Sequence, residues 1–238
     1  MGRTAILLSM VCVMVMASAS LAATIPNNAF DEPATTGWVT SIPSWTLVPA
    51  VTAPPTSYRA GLFFSFDGYT TGTKNAFAII THRNQSTQTL RSSDIVLASY
   101  DTVFEFDYQY VTKNAPGDAT HIDPFTVHLM DAGTDAQIAS WTVSDTNDPD
   151  LALGVVSSVP WAPSGSLQNT YETGWQTFTV DIKDYVSNTV YLEFRQNDSA
   201  QQGGGTGFFL DRVSITPEPG TFLLFGVGAL GLMLLAGG

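Results

Sequence analysis

Through the middle of the chain, apolar and polar residues alternate with a period of two. In Val103–Val111 the rings of Phe104, Phe106, Tyr108 and Tyr110 fall on one side, and Glu105, Asp107 and Gln109 fall on the other. Successive side chains of a strand point to opposite faces, so this pattern predicts a strand with one buried face. Pro124–Met130 repeats it with Phe125, Val127 and Leu129 inward. Trp175–Ile182 does so with Phe178, Val180 and Ile182, and Thr189–Arg195 with Val190, Leu192 and Phe194. Phe208–Ile215 reads as the last strand. Ser44–Val48, Gly61–Phe66, Phe77–Thr81 and Ala136–Val143 carry weaker versions.

Turn-forming clusters separate these runs: Asn114–Gly117, Asp145–Asp150, Pro160–Gly165 and Gln201–Gly207. No stretch between residues 23 and 215 shows a capped apolar period of 3.6, and no 20–50-residue repeat is evident. Many short strands with turn signals predict an all-β domain, an antiparallel two-sheet β-sandwich of jelly-roll type. Burying one large apolar side chain contributes about 1.5–3 kcal/mol. Several such strands can therefore offset chain entropy without crosslinks.

Both ends depart from this pattern. Arg3 is followed by an uncharged apolar run, Ala5–Ala17, and then by Ser20-Leu21-Ala22 with small residues at −3 and −1. That order predicts a secretory signal helix over 1–22, cut by signal peptidase near Ala22/Ala23. An uncleaved anchor is the competing reading, but the run is short for a span of about 20 residues. At the other end, residues 221–238 carry no charge and would reach about 27 Å as a helix, close to the hydrocarbon thickness of a bilayer. A transmembrane helix is expected there, with a buried core helix as the alternative. The chain thus divides into a signal (1–22), a β-sandwich domain (23–215) and a C-terminal segment (216–238).

Composition narrows the function. The 238 residues hold 9 Lys and Arg against 21 Asp and Glu, a net charge of −12. Nucleic-acid binding needs a basic footprint to displace counterions from phosphates, so no nucleic-acid partner is expected. The single cysteine, Cys12, lies inside the signal, and its removal leaves no thiol for a disulfide.

Two resemblances add to this reading. Thr216-Pro217-Glu218-Pro219-Gly220 followed by a terminal apolar helix resembles the PEP-CTERM sorting signal. The resemblance implies recognition of Pro217, Glu218 and Pro219 by an exosortase, an inner-membrane-anchored intermediate, and transfer to the cell surface or extracellular matrix alongside exopolysaccharide. Such signals usually end in a few Arg or Lys, whereas this chain stops at Gly237-Gly238. The chain is therefore read either as a fragment or as one more weakly retained in the membrane. Asn27-Asn28-Ala29-Phe30-Asp31-Glu32 with Gly37-Trp38 resembles the opening of galactose-binding-like and carbohydrate-binding-module jelly rolls. Gly174–Asp181, Thr189–Arg195 and Phe209–Val213 resemble their closing strands. This second resemblance implies a structural calcium shared by Asp31 (or Glu32) and Asp211. Hard oxygen ligands suit that cation.

Catalytic motifs are weak. Asp145–Asp150 fails as an EF-hand, because its sixth and twelfth positions are Asp150 and Val156. Glu105-Phe-Asp107-Tyr-Gln-Tyr110 is similar to the acidic strand of laminarinase-like glycosidases. Tyr110, however, stands where the third acid belongs and falls on the opposite face from Glu105. His82, His121 and His128 lack zinc-ligand spacing, and no G-x-S-x-G elbow occurs. The remaining candidate is the polar side of three strands: Glu105, Asp107 and Gln109, then His128, then Tyr191, Glu193 and Arg195. If these strands are neighbours on one sheet, they form a cup of planar hydrogen-bonding groups with a ring for stacking, as sugar binding requires. An ordinary solvated sheet face is the competing reading. Trp141, Trp161 and Trp175 are further stacking candidates. We therefore expect a non-enzymatic exported surface or matrix protein associated with exopolysaccharide. A carbohydrate-binding module with a defined glycan is the alternative, and a divergent glycoside hydrolase the second alternative.

Overall fold

The structure is a computed structural model that describes residues 23–26, 28, 30, 37–38, 43–48, 58–66, 74–82, 87–112, 114–117, 122–153, 171–186, 188–197 and 205–217, with backbone alone for 37–38, 58–66, 74–82 and Gly205. The signal (1–22), Asp31, Glu32, His121, Trp161, Glu218, Pro219 and the 221–238 segment lie outside the described residues. Among the described residues no helix is long and apolar enough to cross a membrane.

Fourteen strands follow one another among the described residues. The first seven are β1 (Gly37–Trp38), β2 (Trp45–Val48), β3 (Tyr58–Phe66), β4 (Lys74–His82), β5 (Thr87–Ser92), β6 (Ile95–Val96) and β7 (Val103–Thr112). The rest are β8 (Phe125–Asp131), β9 (Gln137–Ser144), β10 (Ala152–Leu153), β11 (Tyr171–Glu172), β12 (Gln176–Asp181), β13 (Thr189–Asn197) and β14 (Gly205–Thr216). A 3-10 turn, Lys183–Tyr185, precedes β13.

The strands form two antiparallel sheets. The larger has eight strands in the order β1-β3-β4-β14-β7-β11-β10, with β12 also paired to β7. The smaller has six in the order β2-β5-β13-β8-β9, with β6 also paired to β13. The alternation read from the sequence selects the inner faces. Phe104 and Phe106 of β7 meet Phe194 of β13 at ring-centroid distances of 6.4 and 5.1 Å, the second edge-on. Phe125 of β8 stacks on Phe208 of β14 at 4.0 Å. Trp45 of β2 closes the cluster between Phe30 and Phe194. Rings in offset or edge geometry gain about 0.5–1.5 kcal/mol per pair beyond area burial, so this aromatic layer holds the two sheets face to face.

The strand bounds shift slightly from those expected. β14 continues to Thr216, which pairs with Val103, and Pro217 beyond it is buried. β5 carries no alternation that marks it as a strand. Its sequence TQTLRS offers one large apolar residue, Leu90, yet it sits between β2 and β13 with Leu90 fully buried.

Candidate functional site

The seven residues of the expected cup are divided between the sheets. Glu105, Asp107 and Gln109 belong to β7 of the larger sheet, whereas His128 on β8 and Tyr191, Glu193 and Arg195 on β13 belong to the smaller one. The inner faces meet in the aromatic layer, so the polar sides of β7 and β13 point away from each other. The single seven-residue cup does not form, because local alternation sets a residue's face but not the sheet its strand joins.

On the smaller sheet the four remaining residues come together and recruit a fifth. Cross-strand register places Arg91 of β5 opposite Glu193, and Glu193 opposite His128. Arg91 Nε and Nη2 donate to Glu193 Oε1 at 3.0 and 2.7 Å. Arg195 Nε donates to Oε2 at 2.9 Å, and its Nη2 also bonds that oxygen. Glu193 thus lies at the bottom, 4 % exposed at its side chain, bonded by two guanidiniums whose side chains are 36 % (Arg91) and 28 % (Arg195) exposed. Charge-assisted bonds of this kind are the stronger ones. Desolvation lowers the Arg91 pKa, and the bonds and charge of Glu193, with Tyr191 and Asp135, raise it, so that it is raised overall.

Tyr191 does not present a free ring for stacking. Arg91 lies over it, 4.3 Å from the centroid, and its hydroxyl donates to Asp135 Oδ1 at 2.8 Å. Desolvation, then the Asp135 carboxylate, push its pKa up to about 12. Asp135 adopts a left-handed backbone (φ 56) in the turn between β8 and β9. Asp131 shapes that turn by accepting from Gly133 N, Thr134 N and Thr134 Oγ1. His128 is engaged at both ring nitrogens, Nδ1 with Gln137 Oε1 at 2.7 Å and Nε2 with Thr126 Oγ1 at 2.9 Å. Desolvation lowers its pKa, so the ring is neutral at pH 7. The result is a buried polar floor (His128, Tyr191, Glu193) roofed by two cationic side chains.

The polar side of β7 is also buried. Asp107 is 2 % exposed and accepts from Thr177 Oγ1 at 2.8 Å and Arg212 Nε at 2.7 Å. Arg212 reaches it from a bulge in β14 between Asp211 and Ser214, where Arg212 has φ 48. A non-glycine residue at such a φ is uncommon, and here the conformation places a cation beside two cross-strand carboxylates, Asp107 and Asp211. An Asp107 so engaged is not placed to act as a glycosidase carboxylate. Gln109 is fully buried, and its Nε2 bonds Glu172 Oε2 of β11. Burial raises the Glu172 pKa to about 7, against the opposing Gln109 bond. The other oxygens, Gln109 Oε1 and Glu172 Oε1, are buried and have no hydrogen-bond partner among the described residues. Only Glu105 keeps a half-buried, water-facing position, 3.5 Å from Thr179 Oγ1.

Of the other candidates, Trp141 is half-buried on the core side, edge-on to Tyr185 at 6.5 Å. Asp211 is buried and its Oδ1 accepts from Arg212 N at 2.7 Å. The same bulge donates Val213 N to the Asn28 carbonyl at 3.0 Å, so the segment leading to Asp31 runs beside Asp211. No cluster of three or more metal-binding side chains occurs among the described residues, and Asp31 lies outside them. Sequence reasoning missed Arg91, Glu172, Arg212 and Asp135. Arg91 sits on the strand with no apolar alternation, and the others act through long-range register that no local pattern announces.

No family model matches the chain, and no curated protein matches it. The chain is similar to several solved structures. The CBM27-1 module of Caldicellulosiruptor saccharolyticus, crystallised with mannohexaose, is 14% identical with a TM-score of 0.48, over 84% of this chain and 99% of that one. The K2 cleaved adhesin domain of Lys-gingipain is 17% identical with a TM-score of 0.43, over 82% and 97%. CBM28, a carbohydrate-binding module specific for non-crystalline cellulose, is 12% identical with a TM-score of 0.37, over 66% and 79%.

Proposed function

We propose that the β-sandwich is a non-catalytic glycan-binding module, that it acts outside the cell, and that the outer face of the six-stranded sheet is its binding surface. The observation that carries this reading is the Arg91–Glu193–Arg195 triad. Two guanidiniums share one buried carboxylate and Asp135 stands 3.8 Å from Arg91, so the cluster's charges cancel, yet both arginine side chains stay partly exposed and present N–H donors at the outer surface. Guanidiniums donate and do not accept, and they match carboxylates in a planar fork. The favoured ligand is therefore an anionic polysaccharide bearing uronate carboxylates. Export by signal peptidase, sorting by an exosortase through Pro217-Glu218-Pro219 and calcium held by Asp31 and Asp211 complete the proposal. They rest on the sequence pattern and its resemblances.

A second reading is a matrix protein with no defined ligand. It is favoured by how completely this face is satisfied internally: both Glu193 oxygens, both His128 nitrogens and the Tyr191 hydroxyl are already bonded. Titration of the full chain in detergent with polygalacturonate, alginate and neutral dextran separates the two. Binding to the acidic polymers that weakens with salt and falls at least tenfold in Arg195→Gln supports the module. Equal or absent binding to all three supports the matrix protein.

A further inference from the structure

Asp101 is a carboxylate with no exposed surface. It closes the turn between β6 and β7. Its Oδ2 accepts from Ala98 N at 2.8 Å, and its own N–H donates to the Ala98 carbonyl at 3.0 Å. Its Oδ1 accepts from Ala23 N at 3.1 Å. No ion pair to Asp101 occurs among the described residues. These neutral N–H groups hydrogen-bond the buried carboxylate without supplying a countercharge.

Ala23 is also the residue that would carry a new amino terminus if the leader were cut after Ser20-Leu21-Ala22. We propose that leader removal converts the Ala23–Asp101 hydrogen bond into a buried ion pair that locks the mature N-terminus onto the sandwich. Water adds across the Ala22–Ala23 amide; Ala22 departs with the leader as a carboxylate, and the Ala23 nitrogen takes up protons to become an ammonium 3.1 Å from Asp101 Oδ1. The proposal rests on the export reading and is independent of glycan binding.

The geometry beyond Ala23 fits a lock. Ala23 packs against the core, and Ile25 is 5 % exposed within it. Asn28 accepts from Val213 N, and Phe30 is fully buried against Trp45. The next residue after Asp101 ties in the other end: Thr102 N donates to the Thr216 carbonyl at 3.1 Å, and its own carbonyl accepts from Ile182 N at 2.7 Å. The ion pair therefore forms where the first and last described segments are both fastened.

The test compares three chains running to Gly238 in the same detergent: one starting at Ala23, one retaining Ala22, and one starting at Nα-acetylated Ala23. A free ammonium gaining a carboxylate partner has its folded-state pKa raised above the ordinary α-amino value of about 8. Its stabilisation is complete below about pH 8 and is lost as pH rises through the raised value. The Ala23 form is expected to melt about 4 °C or more above the other two at pH 6. The gap should close at alkaline pH, and Asp101→Asn should abolish it. Nitrogen-15 NMR of the Ala23 amine should show the raised pKa, a readout that does not need the Asp101 variant to fold. Equal melting of the three chains with an ordinary amine pKa overturns the lock. Amino-terminal sequencing of the exported protein separates the premise, since a start other than Ala23 overturns the cleavage site itself.

Discussion

Glu172 of β11 bonds Gln109 of the adjacent β7 in the larger sheet, and each keeps one buried oxygen without a partner among the described residues. A protonated carboxyl relieves this, because its O–H can donate to an amide oxygen if the Gln109 amide turns over. Burial accordingly raises the Glu172 pKa from 4.5 to about 7. The folded state thus binds a proton more tightly than the unfolded chain. The stabilisation is fully present below about pH 4.5 and is lost as pH rises through about 7. The amount is at most on the order of 3 kcal/mol. Glu172→Gln keeps the neutral shape at every pH and can satisfy both orphaned oxygens. Urea unfolding at a series of pH values should show a flatter slope between pH 4.5 and 7.5, and higher stability than wild type at pH 8. Parallel slopes for the two proteins would place the proton elsewhere.

At the scale of elements, β13 is the strand on which the sandwich depends. Phe194 lies within 5.1–6.4 Å, ring to ring, of Trp45, Phe104, Phe106 and Phe125, which come from three other strands. Phe194→Ala should cost about 3–5 kcal/mol, since its neighbours are held by their own strands and cannot collapse into the gap. Phe178→Ala on β12 should cost less, because Phe178 is only half-buried beside Phe106. Chemical denaturation of the two variants checks the order. Strands such as β7, β8, β12 and β13 were legible because ring-bearing and branched residues alternate with polar ones. β5 was not, since TQTLRS takes its place in the sheet through ladder bonds and a single leucine. The candidate site was legible in part for the same reason. Period two correctly put Glu193, Tyr191 and Arg195 on one face, and Asp107 and Gln109 on one face of another strand. It carries no information on which sheet each strand joins. Nor does it say whether an outward position stays wet: Gln109, Val111 and Phe209 all point away from the aromatic layer and are all fully buried.

The whole molecule brings the two ends of its β domain together. Val213 fastens Asn28, Thr216 fastens Thr102, and Pro217 is buried at the end of β14. The first proline of the Pro-Glu-Pro triplet therefore belongs to the packed body, and a segment leaving after it departs from a fixed point. This sets where a clean cut can be made. Ending the chain after Pro217 removes Glu218–Gly238 yet leaves the β14 ladder with β7 and the Thr102–Thr216 bond in place. Ending it before Thr216 would strip a strand partner from Val103. If residues 218–238 serve sorting alone, the chain ending at Pro217 should melt as the full chain does and bind the same acidic polymers, while cell fractionation should find it free in the medium rather than retained with the membrane or surface. A truncated chain that distributes like the full one would remove the sorting role. One that melts several degrees lower would show that the apolar tail contributes to the fold, so that its absence of charge reflects burial against the sandwich rather than passage into a bilayer.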